Sequence, residues 1–303
     1  MLLLIAVLLV VTGGSWSPTV DAGTTPDGQG GGRPTATPTP KPRPRATPRT
    51  TPTTRTVKPS TQAPQPRRIA RPAQAQSFSE NLNGATLEMV LIPAGTFMMG
   101  SPVDEGGGDE HPRHRVSVPQ FYMGKYEVTQ AQYRAVIGTN PSHFKDDTLP
   151  VENVSWSDAQ EFCRKLSQMT GRKYRLATEA EWEYACRAGT TGAYAGALDA
   201  MGWYRENSGG IPHPVGQKQP NTWGLYDMHG NVWEWCQSKY QGYPYRAGDG
   251  REILTGGDTY TRVARGGSWD SVEAVSSSTF RYVGSSPSSR RANNLGFRVV
   301  VVA

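Results

Sequence analysis

Cysteine is scarce in this chain. Only Cys163, Cys186 and Cys236 occur in 303 residues, and their spacing matches no zinc-binding pattern. Their odd number leaves at least one thiol free. They read as small buried residues, with one disulfide that the sequence cannot assign. Acidic residues are missing from a long early stretch, with none between Asp27 and Glu80. The same region has almost no aliphatic or aromatic side chains. Residues 23–76 therefore cannot offset the entropy of ordering their backbone, and they are expected to form a disordered linker. Long apolar runs are absent too. Residues 2–11 are apolar, but a membrane-spanning helix needs about 20 such residues.

What the early region does contain is proline, threonine and positive charge. More than half of the 24 prolines precede residue 80. Alternating Pro and Thr favour extended polyproline-like chain, a semi-rigid spacer. Arg33, Lys41, Arg43, Arg45, Arg49, Arg55, Lys58, Arg67, Arg68 and Arg71 all fall in it. With those ten of the 32 basic residues set aside, 22 remain against 26 acidic ones. The sequence pI of about 9.2 is thus a property of the tail. The rest of the chain is mildly acidic, which argues against a nucleic-acid-binding surface on it. The tail's charge suits contact with an anionic envelope polymer or lipid. Residues 1–22 fit a secretory signal peptide or N-terminal anchor, with Val20 and Ala22 supplying the small-residue cleavage pattern. The expected location is secreted, periplasmic or cell-envelope.

A folded domain is expected over 77–303. Strands are predicted over 87–93, 95–100 and 116–123, with a Gly-rich acidic loop over 104–110. Three capping boxes predict helix starts, at Thr129 with Gln132, Ser157 with Gln160, and Thr178 with Glu181. After Gly189 the chain becomes rich in Gly, Pro and aromatics, and short strands and loops are expected. Eight tryptophans and thirteen tyrosines suit such a loop-rich fold, because large aromatics bury much area with few rotamers to lose. The five histidines, His111, His114, His143, His213 and His229, form no cluster in sequence. His229 is expected to bond locally within its turn.

Several motifs occur in order along 84–302. They are Ile92-Pro93-Ala94-Gly95-Thr96-Phe97-Met98-Met99-Gly100, Tyr126-Glu127-Val128-Thr129 and Pro150-Val151-Glu152-Asn153-Val154-Ser155-Trp156. Next come Arg175-Leu176-Ala177-Thr178-Glu179-Ala180-Glu181-Trp182 and Gly224-Leu225-Tyr226-Asp227-Met228-His229-Gly230-Asn231-Val232-Trp233-Glu234-Trp235. The last is a frame, Arg265-Gly266-Gly267-Ser268-Trp269 with Leu295-Gly296-Phe297-Arg298. Together they resemble the formylglycine-generating enzyme, or sulfatase-modifying factor, family. The resemblance implies an α+β domain of the C-type-lectin-like fold with little regular secondary structure.

The same resemblance carries an expectation about chemistry. The family oxidises a substrate cysteine with oxygen, using copper(I) held by two cysteines. They lie two and seven residues after the aromatic of the Gly-Gly-Ser-aromatic motif, and here those positions are Ser271 and Ser276. Thiolate suits copper(I) and a serine hydroxyl does not, so copper is not expected. The resemblance also implies calcium, with carboxylates from Asp227 and Glu234, carbonyls from Gly230 and Val232, and Glu110 as a further acidic ligand. The expected function is an exported, non-catalytic module that binds a peptide or protein ligand, at a cell surface among other places. Its groove is expected to comprise Trp269, Asp270, Ser271, Ser276, Arg281 and Tyr282. Two alternatives stay open. One is an oxidase or other maturation enzyme with a non-standard site. The other is a lectin-fold binding protein whose segment 270–291 is diversified.

Overall fold

The computed structural model describes residues 77–254, 260–282 and 289–302. The expected signal peptide and Pro/Thr-rich linker lie outside the described residues. Among the described residues, no helix is long and apolar enough to cross a membrane.

The domain starts with a hairpin of β1 (Ser77–Leu82) and β2 (Ala85–Ile92). Asn83 and Gly84 turn it with φ of 51° and 98°, the backbone that Asn-Gly favours in tight hairpins. β3 (Gly95–Met99) pairs with β4 (His114–Val118) beyond the acidic loop. β5 (Phe121–Gly124) follows at once. The single strand expected over 116–123 is therefore two, broken at Pro119, which has no N–H to continue a ladder.

α1 (Gln130–Ile137) and α3 (Glu179–Arg187) begin at the expected boxes of Thr129 and Thr178. α2 (Trp156–Thr170) begins earlier than expected. Its box is Ser155 with Asp158: the Ser155 Oγ accepts from the Asp158 amide, and the Asp158 carboxylate accepts from the Ser155 amide at 2.8 Å. The earlier start places Trp156 inside the helix and against the core. Between α2 and α3 lies β6 (Tyr174–Leu176). The short α4 (Leu198–Met201), β7 (Gly202–Trp203) and β8 (His229–Gly230) follow. The chain ends with β9 (Trp233–Lys239), β10 (Arg262–Arg265), β11 (Leu295–Gly296) and β12 (Val299–Val302).

The main sheet is antiparallel, ordered β1-β2-β5-β12-β6, so the last strand is inserted between two early ones. Side-chain alternation along it feeds two cores. On β2, Leu87 and Met89 join one cluster, while Val90 and Ile92 join the other. On β12, Val299 and Val301 face the first and Val300 the second. α1 and α2 cover the first face with Tyr133, Phe162 and Leu166, and the rings of Tyr133 and Phe162 meet Phe297. α3 covers the second with Trp182 and Ala185. A smaller sheet, β10-β9-β11, carries the ends of the 265–298 frame.

All three cysteines are buried and free, so the disulfide left open in the sequence is not formed. Burial pushes the Cys186 thiol up to about 12 and holds Cys163 and Cys236 well above the usual range.

Candidate functional site

β10 delivers the chain into Gly266 and Gly267, both at positive φ. A Cβ on Gly267 would lie 2.4 Å from the Ser276 Oγ and 2.8 Å from its Cα. Glycine here is what lets the 273–276 turn settle against the 266–268 turn. Ser271 reaches the same place from the other side. Its Oγ bonds the Ser268 amide at 3.1 Å and the Ser268 Oγ at 2.7 Å. The fold thus brings Ser271 and Ser276 to one turn, and the two hydroxyls differ there. The Ser276 Oγ is buried with no partner, whereas the Ser271 Oγ is bonded into the backbone turn.

Trp269 is half-buried and tied at every polar atom. Its amide donates to the Asn231 carbonyl, its indole N–H to the Asn293 carbonyl, and its own carbonyl accepts from Ser208. The Phe144 ring meets it edge-on at 5.6 Å. The Asp270 carboxylate accepts from Ser268 Oγ and from Asn294 Nδ2. It shapes the turn, with its side chain still partly exposed.

Two of the expected groove residues, Arg281 and Tyr282, make contacts that hold the fold. Arg281 is fully enclosed, with both its side chain and that of Glu179 at 0% exposure. Its guanidinium grips the Glu179 carboxylate at 2.6 and 2.9 Å, donates to the carbonyls of Asp109 and Gln241, and lies over the Tyr243 ring. Tyr282 exchanges both backbone hydrogen bonds with Ala264 and stacks on Trp233. Arg281 therefore anchors the segment from inside the fold, while Tyr282 stays half-buried beside it. Nearby, Arg265 pairs with Glu183, and Arg187 with the same carboxylate.

His229 does not bond within its turn. It crosses to the serine segment, where Nδ1–H donates to the Ser276 carbonyl at 2.8 Å, while Nε2 accepts from the Ala195 amide at 3.1 Å. Those partners fix one neutral tautomer. Burial is the main cause that pulls its pKa down to about 4, so the ring is uncharged near neutrality. It holds the backbone of Ser276 and leaves the hydroxyl alone.

The residues expected around calcium are only partly gathered. The Glu234 carboxylate accepts from Arg298 at 2.6 and 2.7 Å and from the Trp182 indole at 2.8 Å. One oxygen of Asp227 accepts from the Gly216 amide, while its Oδ1 is buried with no partner. Glu127, from the Tyr126–Thr129 motif, completes the cluster. Its oxygens accept from Asn231 Nδ2 and the Val232 amide. Burial, then the negative charges of Asp227 and Glu234, push Glu127 far up; burial lifts Asp227 to about 6. Three carboxylates face one guanidinium, so a proton on Glu127 or a divalent cation would relieve the same imbalance.

Gly230 is indispensable to this turn, because a Cβ there would meet the Trp203 carbonyl at 2.0 Å. Glu110 has a different setting. It accepts from Ser101 Oγ and the Gly107 amide. Among the described residues, no group of three or more His, Cys, Asp or Glu side chains is arranged to hold a metal. An ion at Asp227 would depend on backbone oxygens of the 230–232 turn.

A cavity of about 350 Å³ opens beside the serine segment, lined by Glu105, Glu110, Tyr194, Thr279 and Phe280 among others. Burial opposes ionisation of Glu110. Hydrogen bonds from Ser101, the Gly107 amide and Thr279, with the charge of Arg265, nevertheless hold it below its ordinary value. The cavity thus has a buried, ionised carboxylate in its wall. Its walls come from residues 101–110, 193–194 and 274–280, so no local motif announces it.

Comparison with known proteins fits this geometry. The family model of the sulfatase-modifying factor enzyme 1-like domain matches residues 74–303. The chain belongs to this family. It is 31% identical to the chaperone protein LppX of Paenibacillus barcinonensis, over 70% of this chain and 89% of that protein. It is 28% identical to the formylglycine-generating enzyme of Streptomyces coelicolor, over 68% and 85% of the two chains. An inactive C-alpha-formylglycine-generating enzyme 2 from Bos taurus matches at 28%, over 71% and 88%. Among solved structures, Treponema denticola variable protein 1 superposes with a TM-score of 0.67 and 29% identity, over 75% of this chain and 99% of that one. PvdO from Pseudomonas aeruginosa gives 0.62 and 28%, over 71% and 94%. The domain is therefore an α+β sulfatase-modifying-factor-type domain of the C-type-lectin-like fold.

Proposed function

We propose that this protein is an exported, non-catalytic member of its family that binds an extended peptide or protein segment beside the 266–280 region. The observation that carries the reading is the state of the two serines. A hydroxyl is a poor ligand for copper(I). Ser271 is bonded to Ser268, Ser276 has no partner, and the imidazole that reaches Ser276 is neutral and turned to its carbonyl. Among the described residues, no base activates either hydroxyl as a nucleophile. The likeness to an inactive enzyme and to a chaperone protein is consistent with this.

The cavity at Glu110 gives the ligand a chemistry. An ionised carboxylate, a second one at Glu105, and the rings of Tyr194 and Phe280 suit a lysine or arginine side chain. Half-buried Trp269 and Asp270 provide the neighbouring contact surface. A labelled extended peptide carrying one Lys or Arg should bind at least tenfold more tightly than its neutral counterpart, measured by fluorescence anisotropy. Glu110→Gln should remove most of that difference, since a charge-assisted hydrogen bond contributes about 1.5–3 kcal/mol. Equal binding of both peptides would sink this reading.

Calcium has a structural role in the proposal, held by Asp227 with carbonyls of the 230–232 turn and charge-balanced by Glu127 and Glu234. The unpartnered Asp227 Oδ1 supports it. A ligand that binds only the folded state stabilises it by about 2.7 kcal/mol at a hundredfold excess over its Kd. Calcium should therefore raise the melting temperature over that in chelator, and Asp227→Asn should erase the difference. Identical melts with calcium and with chelator would count against the ion. The tail is proposed to hold the domain in the cell envelope or outside the cell, its positive charge against anionic polymer or lipid.

A second reading, a binding protein diversified over 270–291, draws on the likeness to the Treponema variable protein. In that case Val272, Glu273, Ala274, Ser289 and Arg291, which are exposed, are the positions free to vary.

A further inference from the structure

Glu152 is an acid in an unexpected place. It sits in the Pro150–Trp156 motif at 0% exposure, yet among the described residues no arginine or lysine pairs with it. Its Oε1 accepts from the Phe144 amide at 2.8 Å, while its Oε2 is buried without a partner. Its own amide donates to Ser142 Oγ at 3.1 Å, and Asn153 Nδ2 donates to the Pro141 carbonyl at 3.0 Å. Three bonds thus moor residues 141–144 to residues 152–153. The carboxylate is the only one of the three anchors that can change charge. Phe144 is what this mooring positions, and its ring stands against Trp269 at 5.6 Å.

We propose that Glu152 is a proton-operated latch: its neutral carboxyl lets the 141–144 loop close against Trp269 without burying a charge, and its ionisation, which strengthens the Phe144 amide bond but leaves an unpaired charge buried, favours opening of that wall of the ligand-binding face. The latch stands whether or not the face takes a peptide. Two observations support it beyond the geometry. Burial is the main cause that lifts the Glu152 carboxyl to about 7, against the Phe144 amide bond and the charge of Lys145. The charged and titratable groups around it are few and solvent-facing: Lys145 and His143 on its own loop, Asp146 and Asp147 beyond, and Arg291, which reaches the Asn153 carbonyl from the other side.

The sign follows from linkage. An acid whose folded value lies above its unfolded one, about 7 against 4.5, takes up a proton on folding between those two pH values. Its neutral form therefore favours the closed loop at low pH, and that contribution is lost as pH rises through 7.

The test uses the full chain labelled with 15N-phenylalanine, which gives seven amide signals, with Phe144→Tyr to assign the one of interest. The Phe144 amide should titrate with a midpoint near 7. Hydrogen exchange of residues 141–144, corrected for intrinsic base catalysis, should speed up about tenfold between pH 6 and 8, corresponding to one pKa unit of coupling. Both effects should vanish in Glu152→Gln and persist in His143→Gln. A flat wild-type profile, a titration that survives Glu152→Gln, or one abolished by His143→Gln would each overturn the latch. If Glu152→Gln does not fold, the wild-type and His143→Gln titrations still decide, since a Phe144 shift without faster exchange would mean ionisation without opening.

Discussion

Arg281→Ala should lower the melting temperature by roughly 10 °C, far more than loss of a ligand contact would. The guanidinium is fully enclosed and bonded twice to Glu179, itself fully buried on α3. Removing it leaves a buried carboxylate whose remaining cation, Arg265, stands 3.5 Å away and is already committed to Glu183. Breaking one partner out of such a buried pair costs about 3–5 kcal/mol. For a domain of this size each kcal/mol corresponds to about 2–4 °C. Arg281→Lys should recover little, because an ammonium cannot reproduce the fork geometry or the stacking on Tyr243. Differential scanning calorimetry reads both variants. A shift of only a degree or two for Arg281→Ala would mean that the residue is solvated and available to a ligand after all. Limited proteolysis gives a second readout, since cleavage within 270–282 should accelerate once Arg281 no longer ties that segment to α3.

How legible this was depends on the distance over which each contact acts. The helix starts at Thr129 and Thr178 were readable because a capping box closes within three residues. The box at Ser155 was misplaced by two residues because its carboxylate is an Asp, outside the Glu/Gln template. The family frame and the two serine substitutions were plain in the sequence. The roles of charged residues were not. Arg281 lies in a serine-rich stretch that looks like a binding loop, and its partner Glu179 lies 102 residues earlier. Glu127 meets Asn231 across 104 residues, so its part in the carboxylate cluster has no local signature. His229 looked like a turn residue for the same reason, since its partner is 47 residues away. A Ser-rich segment held by buried Arg–Glu pairs has its specificity in the fold's long-range contacts, and one-dimensional patterns register only the polarity of each member.

The same arrangement makes the proposed lack of copper chemistry testable by restoration. The double variant Ser271→Cys with Ser276→Cys should hold copper(I) against a chromophoric chelator, while the wild-type chain should yield all of it. The turn already places both side chains beside Gly267 and Ser268. Neither exchange removes a charge, and the Ser276 hydroxyl has no hydrogen bond to lose. The larger sulfur at 276 meets the tight approach to Gly267, an overpacking cost of about 1–3 kcal/mol. The native thiols form a quiet background. Burial holds Cys186 at about 12 and raises the other two well above the usual thiol range, so they stay protonated and enclosed near neutral pH. Each single variant, with one thiolate, should bind far more weakly than the pair, because linear two-thiolate coordination is what soft copper(I) favours. Tight copper on the wild-type chain would defeat the non-catalytic reading directly and point to ligands outside the 271/276 pair. Failure of the double variant, with its fold intact by calorimetry, would show instead that this turn has moved away from the spacing a copper site needs. The obstacle to copper would then lie in the backbone as well as in two side chains.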